Sequence, residues 1–334
     1  MTDYVTLAMG AGGKQTSELI TNVFKKHLEN QFFTADDAAV LPQPDGQIAM
    51  STDGFIVSPA FFPGGNVGEL SVCGTVNDLT CMGARPLYLT CSFVIEEGYP
   101  VALLEKIVSS MAETAGKCGV SIVAGDTKVA GKGQVDGCFI TTAGVGEIVY
   151  GTHTSGAFAR PGDAVIVTGD VGRHGCAILL SRDEYGIEAD VTSDCAPLWK
   201  PLSAVFKKVH DIHAVRDATR GGVGTVLYEI CHESGVGIEI SRERVPVDSA
   251  VRGVCDMLGL DPLYLACEGR MVITAPSSDA DEIVGILRDY DDTAGAAVIG
   301  EVSDEHQGHV TVKTPIGTET YLPEPGNELL PRIC

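Results

Sequence analysis

The chain has 334 residues and a formal net charge of −22, with 44% hydrophobic and 20% charged residues. That length suits two globular domains of ordinary composition, and that charge argues against nucleic acid or an anionic membrane surface as a partner. Residues 1–30 lack a basic stretch followed by an apolar run, and no apolar run is long enough to cross a bilayer, so neither a signal peptide nor a membrane span is expected.

In chain order, the first feature is the glycine-rich segment Gly10-Ala11-Gly12-Gly13-Lys14. Its spacing fails the phosphate-loop pattern, because Ala8 and Gln15 stand where Gly and Ser or Thr are needed. It reads as a turn before a helix near Thr16, with glycines that let backbone N–H groups close over phosphate. Strands are expected at 37–41 and 47–57, around the Pro44-Asp45-Gly46 turn. Val67, Leu70, Cys73, Leu79 and Met82 recur at helical spacing and predict a helix over 66–82. A strand at 87–95, a helix at 101–118 and strands at 121–129 and 138–149 follow. Residues 152–162, rich in Thr, Ser and Gly, form the best domain boundary. Beyond it come a strand at 164–168, a helix opening at 172–180, and helices at 198–209, 223–232 and near 278–289. Strands are expected at 271–274, 296–301 and 309–313. The fold class is α/β, in α+β layers, with domains at 1–155 and 156–321 and a tail at 322–334.

The eleven cysteines are scattered without a C-x-x-C pair and read as small buried hydrophobes in a reducing cytoplasm. His210/His213 and His306/His309 have H-x-x-H spacing but too few accompanying ligands for structural zinc. The tail ends in Pro331-Arg332-Ile333-Cys334. Its three prolines and weak apolar pattern predict an extended, mobile segment, and a thiol at its tip suits a swinging arm that carries a covalently held group.

Carboxylates recur at the ends of the expected elements: Asp36-Asp37, Ser51-Thr52-Asp53, Asn77-Asp78, Gly125-Asp126-Thr127-Lys128 and Asp217-Ala218-Thr219-Arg220. Unpaired carboxylates near a core edge are costly. Several together suit a hard cation that bridges nucleotide phosphates. Taken singly, each is equally a cap, a turn residue or a surface charge, and Asp217 suits an N-cap for the helix at 223–232.

In this order, Asp36-Asp37-Ala-Ala-Val, Ser51-Thr52-Asp53, Asn77-Asp78-Leu, Gly125-Asp126-Thr127 and the Asp217 motif resemble the ATP-binding superfamily of aminoimidazole ribonucleotide synthetase, thiamine-monophosphate kinase and selenophosphate synthetase. With Ala266-Cys-Glu268-Gly-Arg270 and the terminal Pro-Arg-Ile-Cys334, the chain looks like the HypE family of hydrogenase maturation proteins. Met9 stands where many relatives would carry His, and Arg220 where the kinase branch would carry Asp.

The resemblance implies a two-domain aminoimidazole-ribonucleotide-synthetase-like fold whose first domain binds ATP and Mg²⁺ and pairs into a barrel across a homodimer. It implies Asp36, Asp53, Asp78, Asp126 and Asp217 as metal ligands. It implies Gly12, Gly13, Thr52, Asp53, Asp78, Asp126, Asp217 and Thr219 as nucleotide contacts. Cys334, Glu268 and Lys128 would be catalytic, with Lys128 expected to be buried. The implied reaction is ATP-dependent dehydration of an S-carboxamide on Cys334 to an S-cyanide. The group would come from the carbamoyltransferase HypF and pass to a HypC–HypD scaffold, as the CN ligand of a [NiFe] hydrogenase. A kinase or synthetase of the same superfamily, and a carrier without catalysis, are the alternative readings.

Overall fold

A computed structural model of the chain describes residues 2–34, 36–182, 184–314, 316–324 and 326. At the N-terminus α1 (Leu7–Gly10), α2 (Lys14–Leu19) and α3 (Lys26–Leu28) follow one another, with a π-wound turn at Ile20–Lys25 before α3. Gly12 and Gly13 take φ of +85° and +86°, and Gly13 leads directly into α2, two residues ahead of the expected start. Residues 36–47 are bends and coil. The strand expected at 37–41 is therefore absent: Pro42 and Pro44 remove ladder donors from the segment, and Val40 stays exposed.

β1 (Ile48–Phe55) enters the first sheet, and the short pair β2 (Phe61–Phe62) and β3 (Gly65–Asn66) leads into α4 (Val67–Cys81). The Asn66 side chain accepts the Gly68 and Glu69 N–H groups and starts the helix. A Cβ at Gly68 would lie 2.1 Å from the Ile107 carbonyl oxygen, so only glycine lets α4 meet α5 (Val101–Cys118) backbone to backbone. α4 is buried on almost every side, because a sheet lies on one flank and the second domain on another. β4 (Ala84–Glu96), β5 (Ser121–Ala130) and β6 (Cys138–Ile148) complete a four-stranded sheet in the order β1-β6-β4-β5. β4 and β5 run parallel, with α5 as their crossover. Side chains alternate along β1: Ala49, Ser51, Asp53 and Phe55 turn inward toward α4, while Ile48, Met50 and Thr52 face outward.

The second domain runs β7 (Asp163–Val167), α6 (Arg173–Ser181), α7 (Trp199–Lys208), β8 (Ala214–Asp217), α8 (Gly222–Ser234), β9 (Gly237–Ser241), α9 (Ser249–Leu258), β10 (Met271–Pro276), α10 (Ala280–Arg288), β11 (Ala297–Ser303), β12 (Val310–Lys313) and β13 (Glu319–Tyr321). Its seven strands are ordered β13-β12-β9-β11-β7-β10-β8, antiparallel except for β9 and β12. One apolar cluster crosses the domain junction, joining Val72 and Val76 of α4 to Leu198, just before α7, and to Leu202 and Phe206 of α7. Among the described residues no helix is long and apolar enough to cross a membrane.

The tail begins differently from expectation. Leu322 is buried in the second core, its N–H donates to the Val310 carbonyl at 2.8 Å, and the Tyr228 and Tyr264 hydroxyls donate to the carbonyls of Leu322 and Pro323. The root of the segment is thus fixed by packing and three hydrogen bonds. Cys334 lies outside the described residues.

Candidate active site

The sequence places two carboxylates on facing elements of the first domain. Asp53 is on the α4-facing side of β1 beside Gly74, where a Cβ would lie 3.7 Å from Asp53 Oδ2, an ordinary contact, and only 2.7 Å from the Phe55 ring. Asp78 follows one helical turn after Gly74, on the same stripe of α4. Ser51, two residues before Asp53 and on the same strand face, donates to Asp78 Oδ2 at 2.5 Å. Asp53 accepts the Gly54 N–H at 2.8 Å.

The second domain adds Asp217 and Glu268. Asp217 ends β8, paired in register with Met271 of β10. It does not cap the following helix: Gly221 precedes α8 at φ +74°, so the Asp217 carboxylate is left free of that duty. Glu268 sits in the loop before β10, 6% exposed. Its peptide is held from several sides. Its N–H donates to Asp194 Oδ1 at 3.1 Å, its carbonyl accepts from Asn77 Nδ2 at 3.4 Å, and the neighbouring Cys267 N–H donates to the Ala218 carbonyl at 2.9 Å.

These four carboxylates raise one another's proton affinity. Burial lifts Asp53 above its usual range, against the Gly54 N–H and the Arg220 charge. Burial also lifts Asp78, with Asp53 adding to it and the Ser51 hydrogen bond opposing it. Asp217 is pushed up to about 7, first by burial and then by the Asp78 charge. Glu268 is raised well above the ordinary carboxylate range by burial, then by Asp217, Asp194, Asp53 and Asp78. Such a set binds protons or a cation, because mutual repulsion in a low-dielectric cleft must be offset by one or the other. Among the described residues no three His, Cys, Asp or Glu side chains form a ready cage for an ion.

Other expected residues lie apart. Asp126 shares a ladder row with Ser92, Thr141 and Gly54, three strand spacings from β1, or about 14 Å. Ser92 and Val94, its row-mates with Lys128, lie on the outward face of β4, so Asp126 and Lys128 point away from α4. Lys128 is 65% exposed and pairs with Asp126 at 2.8 Å. The expected burial of Lys128 is therefore corrected: an outward position on an edge strand leaves the ammonium in water. Thr52 also faces outward and donates to the Thr142 carbonyl at 3.0 Å, so it does not join Asp53 and Asp78. Asp36 lies in an exposed bend. Gly12 and Gly13 are exposed near β5, where a Cβ added to Gly10 would lie 2.8 Å from the Val129 backbone nitrogen. Thr219 is half-buried in the loop after Asp217. Ser51 and Asn77 stood in the sequence only as neighbours of Asp53 and Asp78 within their motifs, without roles of their own, and Asp194 did not stand out at all.

Comparison with known proteins agrees with this architecture. Residues 35–148 match the AIR synthase related protein N-terminal domain, and residues 160–313 match the corresponding C-terminal domain. Carbamoyl dehydratase HypE of Azotobacter vinelandii is 43% identical over 332 residues, covering 99% of this chain and 97% of that protein. A crystal structure of hydrogenase maturation protein HypE in complex with ATP superposes with a TM-score of 0.94 at 43% identity, over 98% of this chain and 99% of that one. A crystal structure of a HypE–HypF complex matches with a TM-score of 0.82 at 44% identity, over 92% and 99%. With both domains matched in order and the likeness running through nearly every residue, the chain belongs to the carbamoyl dehydratase HypE family of AIR synthase related proteins.

Proposed function

We propose that the protein dehydrates an S-carboxamide on Cys334 to an S-cyanide at the expense of ATP. The observation that carries this reading is the proximity of four carboxylates from two domains: Ser51, on the Asp53 face of β1, bonds Asp78, Asn77 beside Asp78 bonds the Glu268 carbonyl, and the Cys267 N–H beside Glu268 bonds the Ala218 carbonyl beside Asp217, in a chain 43% identical to a carbamoyl dehydratase. In the reaction the carboxamide oxygen takes the γ-phosphoryl group of ATP, ADP leaves, and the C–O bond then breaks as phosphate departs. The nitrogen loses its protons as the C≡N bond forms. Phosphate is the better leaving group by far than hydroxide, and the oxygen of the lost water ends in it.

Asp53, Asp78 and Asp217 are the residues that would hold Mg²⁺, and the ion would supply positive charge to offset their mutual repulsion and that of the nucleotide. Glu268 is the proton acceptor for the nitrogen, placed by a rigid peptide at the edge of the carboxylate group. Thr219 follows Asp217 by two residues. Within one chain Asp126, Lys128, Thr52, Gly12 and Gly13 lie away from this group, and Asp36 lies in an exposed bend, so we retain all six only for a site shared with a second copy, where Gly12 and Gly13 would supply backbone donors for phosphate.

That second copy forms a homodimer. The outward face of β1 exposes Ile48 and Met50, the latter 73% exposed, and an apolar sheet face of this kind calls for a partner. The carbamoyl group comes from a HypF-type carbamoyltransferase, and the cyanide passes to a HypC–HypD-type acceptor, in the cytoplasm. A separate kinase activity would survive loss of Cys334. Testing Cys334→Ser for ATP binding alongside adduct formation distinguishes the two: binding is retained and the adduct lost if the thiol carries the substrate.

A further inference from the structure

We infer that Asn77 is a positioning residue that locks Glu268 of the second domain into register with the Asp53–Asp78 pair of the first, and this inference rests on the role given to Glu268 above. Asn77 is 2% exposed in α4, one residue before Asp78. Every bond its amide makes crosses to the other domain. Nδ2 donates to the Ala196 carbonyl at 3.0 Å and to the Glu268 carbonyl at 3.4 Å, and Oδ1 accepts the Leu198 N–H at 2.8 Å. Two carbonyls on one side and an N–H on the other fix the orientation of the amide. No other side chain of this size satisfies that set: aspartate has no donor for the carbonyls, and leucine satisfies nothing.

The other restraints on the Glu268 peptide come from its own domain. Asp194 accepts its N–H, the Ala196 N–H reaches its carbonyl at 3.5 Å, and a Cβ on Gly269 would lie 1.9 Å from the Asp194 carbonyl oxygen. Those contacts shape the loop, and the neighbouring Ser193 N–H ties it to the Pro63 carbonyl of the first domain at 2.8 Å, but among the described residues Asn77 is the first-domain side chain that bonds the Glu268 peptide itself. Around Asn77 the junction is apolar, with Val76 and Leu198 in the shared core. Apolar burial holds two surfaces together without choosing a register, whereas a buried, fully satisfied polar group does choose one. Consecutive residues of one helix therefore divide the work: Asn77 grips the backbone of Glu268, and Asp78 turns to the cleft it faces.

The test uses the full-length protein, carbamoylated at Cys334 by a carbamoyltransferase with carbamoyl phosphate and then mixed with ATP. Conversion of the adduct is timed in a single turnover by mass spectrometry of the C-terminal peptide. Asn77→Asp keeps the volume and the Leu198 bond but loses both donors, and Asn77→Ala loses all three bonds. A displacement of about 1 Å at a reacting group slows a reaction on the order of a hundredfold. Both variants are expected to show a maximal rate lower by about that factor, with ATP affinity within about threefold of wild type, since Asp78 stays in place. Wild-type rates in both variants would overturn the inference. So would a loss of ATP affinity in proportion to rate, which would put the effect on the nucleotide instead. Failure of both variants to fold would reduce Asn77 to a structural residue and overturn it equally. Glu268→Gln is run beside them: if it turns over at the wild-type rate, the role of Glu268 falls and Asn77 loses its object.

Discussion

Asp78 keeps one strong donor, the Ser51 hydroxyl at 2.5 Å, against burial and the charge of Asp53. In the proposed site its charge would help hold a cation that offsets phosphate repulsion, and removing the charge would remove that support. Asp78→Asn is expected to weaken Mg-ATP binding tenfold or more, a loss of about 1.4 kcal/mol or greater, while the exposed Asp304→Asn leaves it unchanged. Calorimetric titrations check this, and equal affinities would remove Asp78 from the site. His174 offers a separate test by pH. It is buried, bonded through Nδ1 to Ser193 Oγ at 2.8 Å, and its Nε2 has no partner among the described residues. Burial lowers its pKa from 6.5 to about 4. The unfolded chain binds the proton first, so the neutral ring supports the fold above about 6.5, and that support is lost as pH falls toward 4. His174→Asn should therefore lose less stability than wild type between pH 7 and pH 5 in urea unfolding. Parallel losses would show that His174 does not titrate as described. At this scale Glu268 was named through the family resemblance in Cys-Glu-Gly, and its burial was not legible from the sequence alone. It was illegible for Lys128, because a single lysine in an apolar run does not reveal which face of the strand it occupies.

α4 is the element that joins the site to both domains. Its burial on all sides follows from an apolar sequence punctuated by Gly68 and Gly74, one letting α5 approach and the other making room for the Phe55 ring. Gly68→Ala should destabilise the protein by about 1–3 kcal/mol or more through overpacking against the Ile107 carbonyl, read as a lower urea midpoint at unchanged slope. A wild-type midpoint would mean that the helices move apart freely. Helical spacing made α4 and α5 legible, with α5 running over Val101–Cys118. Short elements were harder. β8 has four residues and gains strand character only from pairing with β10. α9 carries Val251, Val254 and Cys255 at helical spacing, a signal that was present and unused. The root of the tail was hidden for another reason: a single leucine among prolines gives no period, and it is the Tyr228 and Tyr264 hydroxyls, distant in sequence, that hold it.

At the scale of the whole molecule, the site divides between two faces of the first sheet, with Asp53 inward and Asp126 and Lys128 outward. The homodimer proposed here would cover the outward face. Met50→Glu places a charge at its most exposed apolar position and should shift the protein from dimer to monomer in sedimentation at micromolar concentration. A wild type that sediments as a monomer would contradict the assembly. With Leu322 and Pro323 anchored, the arm beyond Pro323 has a reach of roughly 35–40 Å at full extension, shorter than the whole tail would have but of domain size. The most direct measurement is mass spectrometry of the C-terminal peptide after incubation with a HypF-type carbamoyltransferase, carbamoyl phosphate and ATP. The predicted result is a carbamoyl adduct on Cys334 without ATP, converted with ATP to one lighter by a water, and no adduct in Cys334→Ser. An adduct on any other cysteine, or one on Cys334 that ATP leaves unchanged, would contradict the proposed reaction.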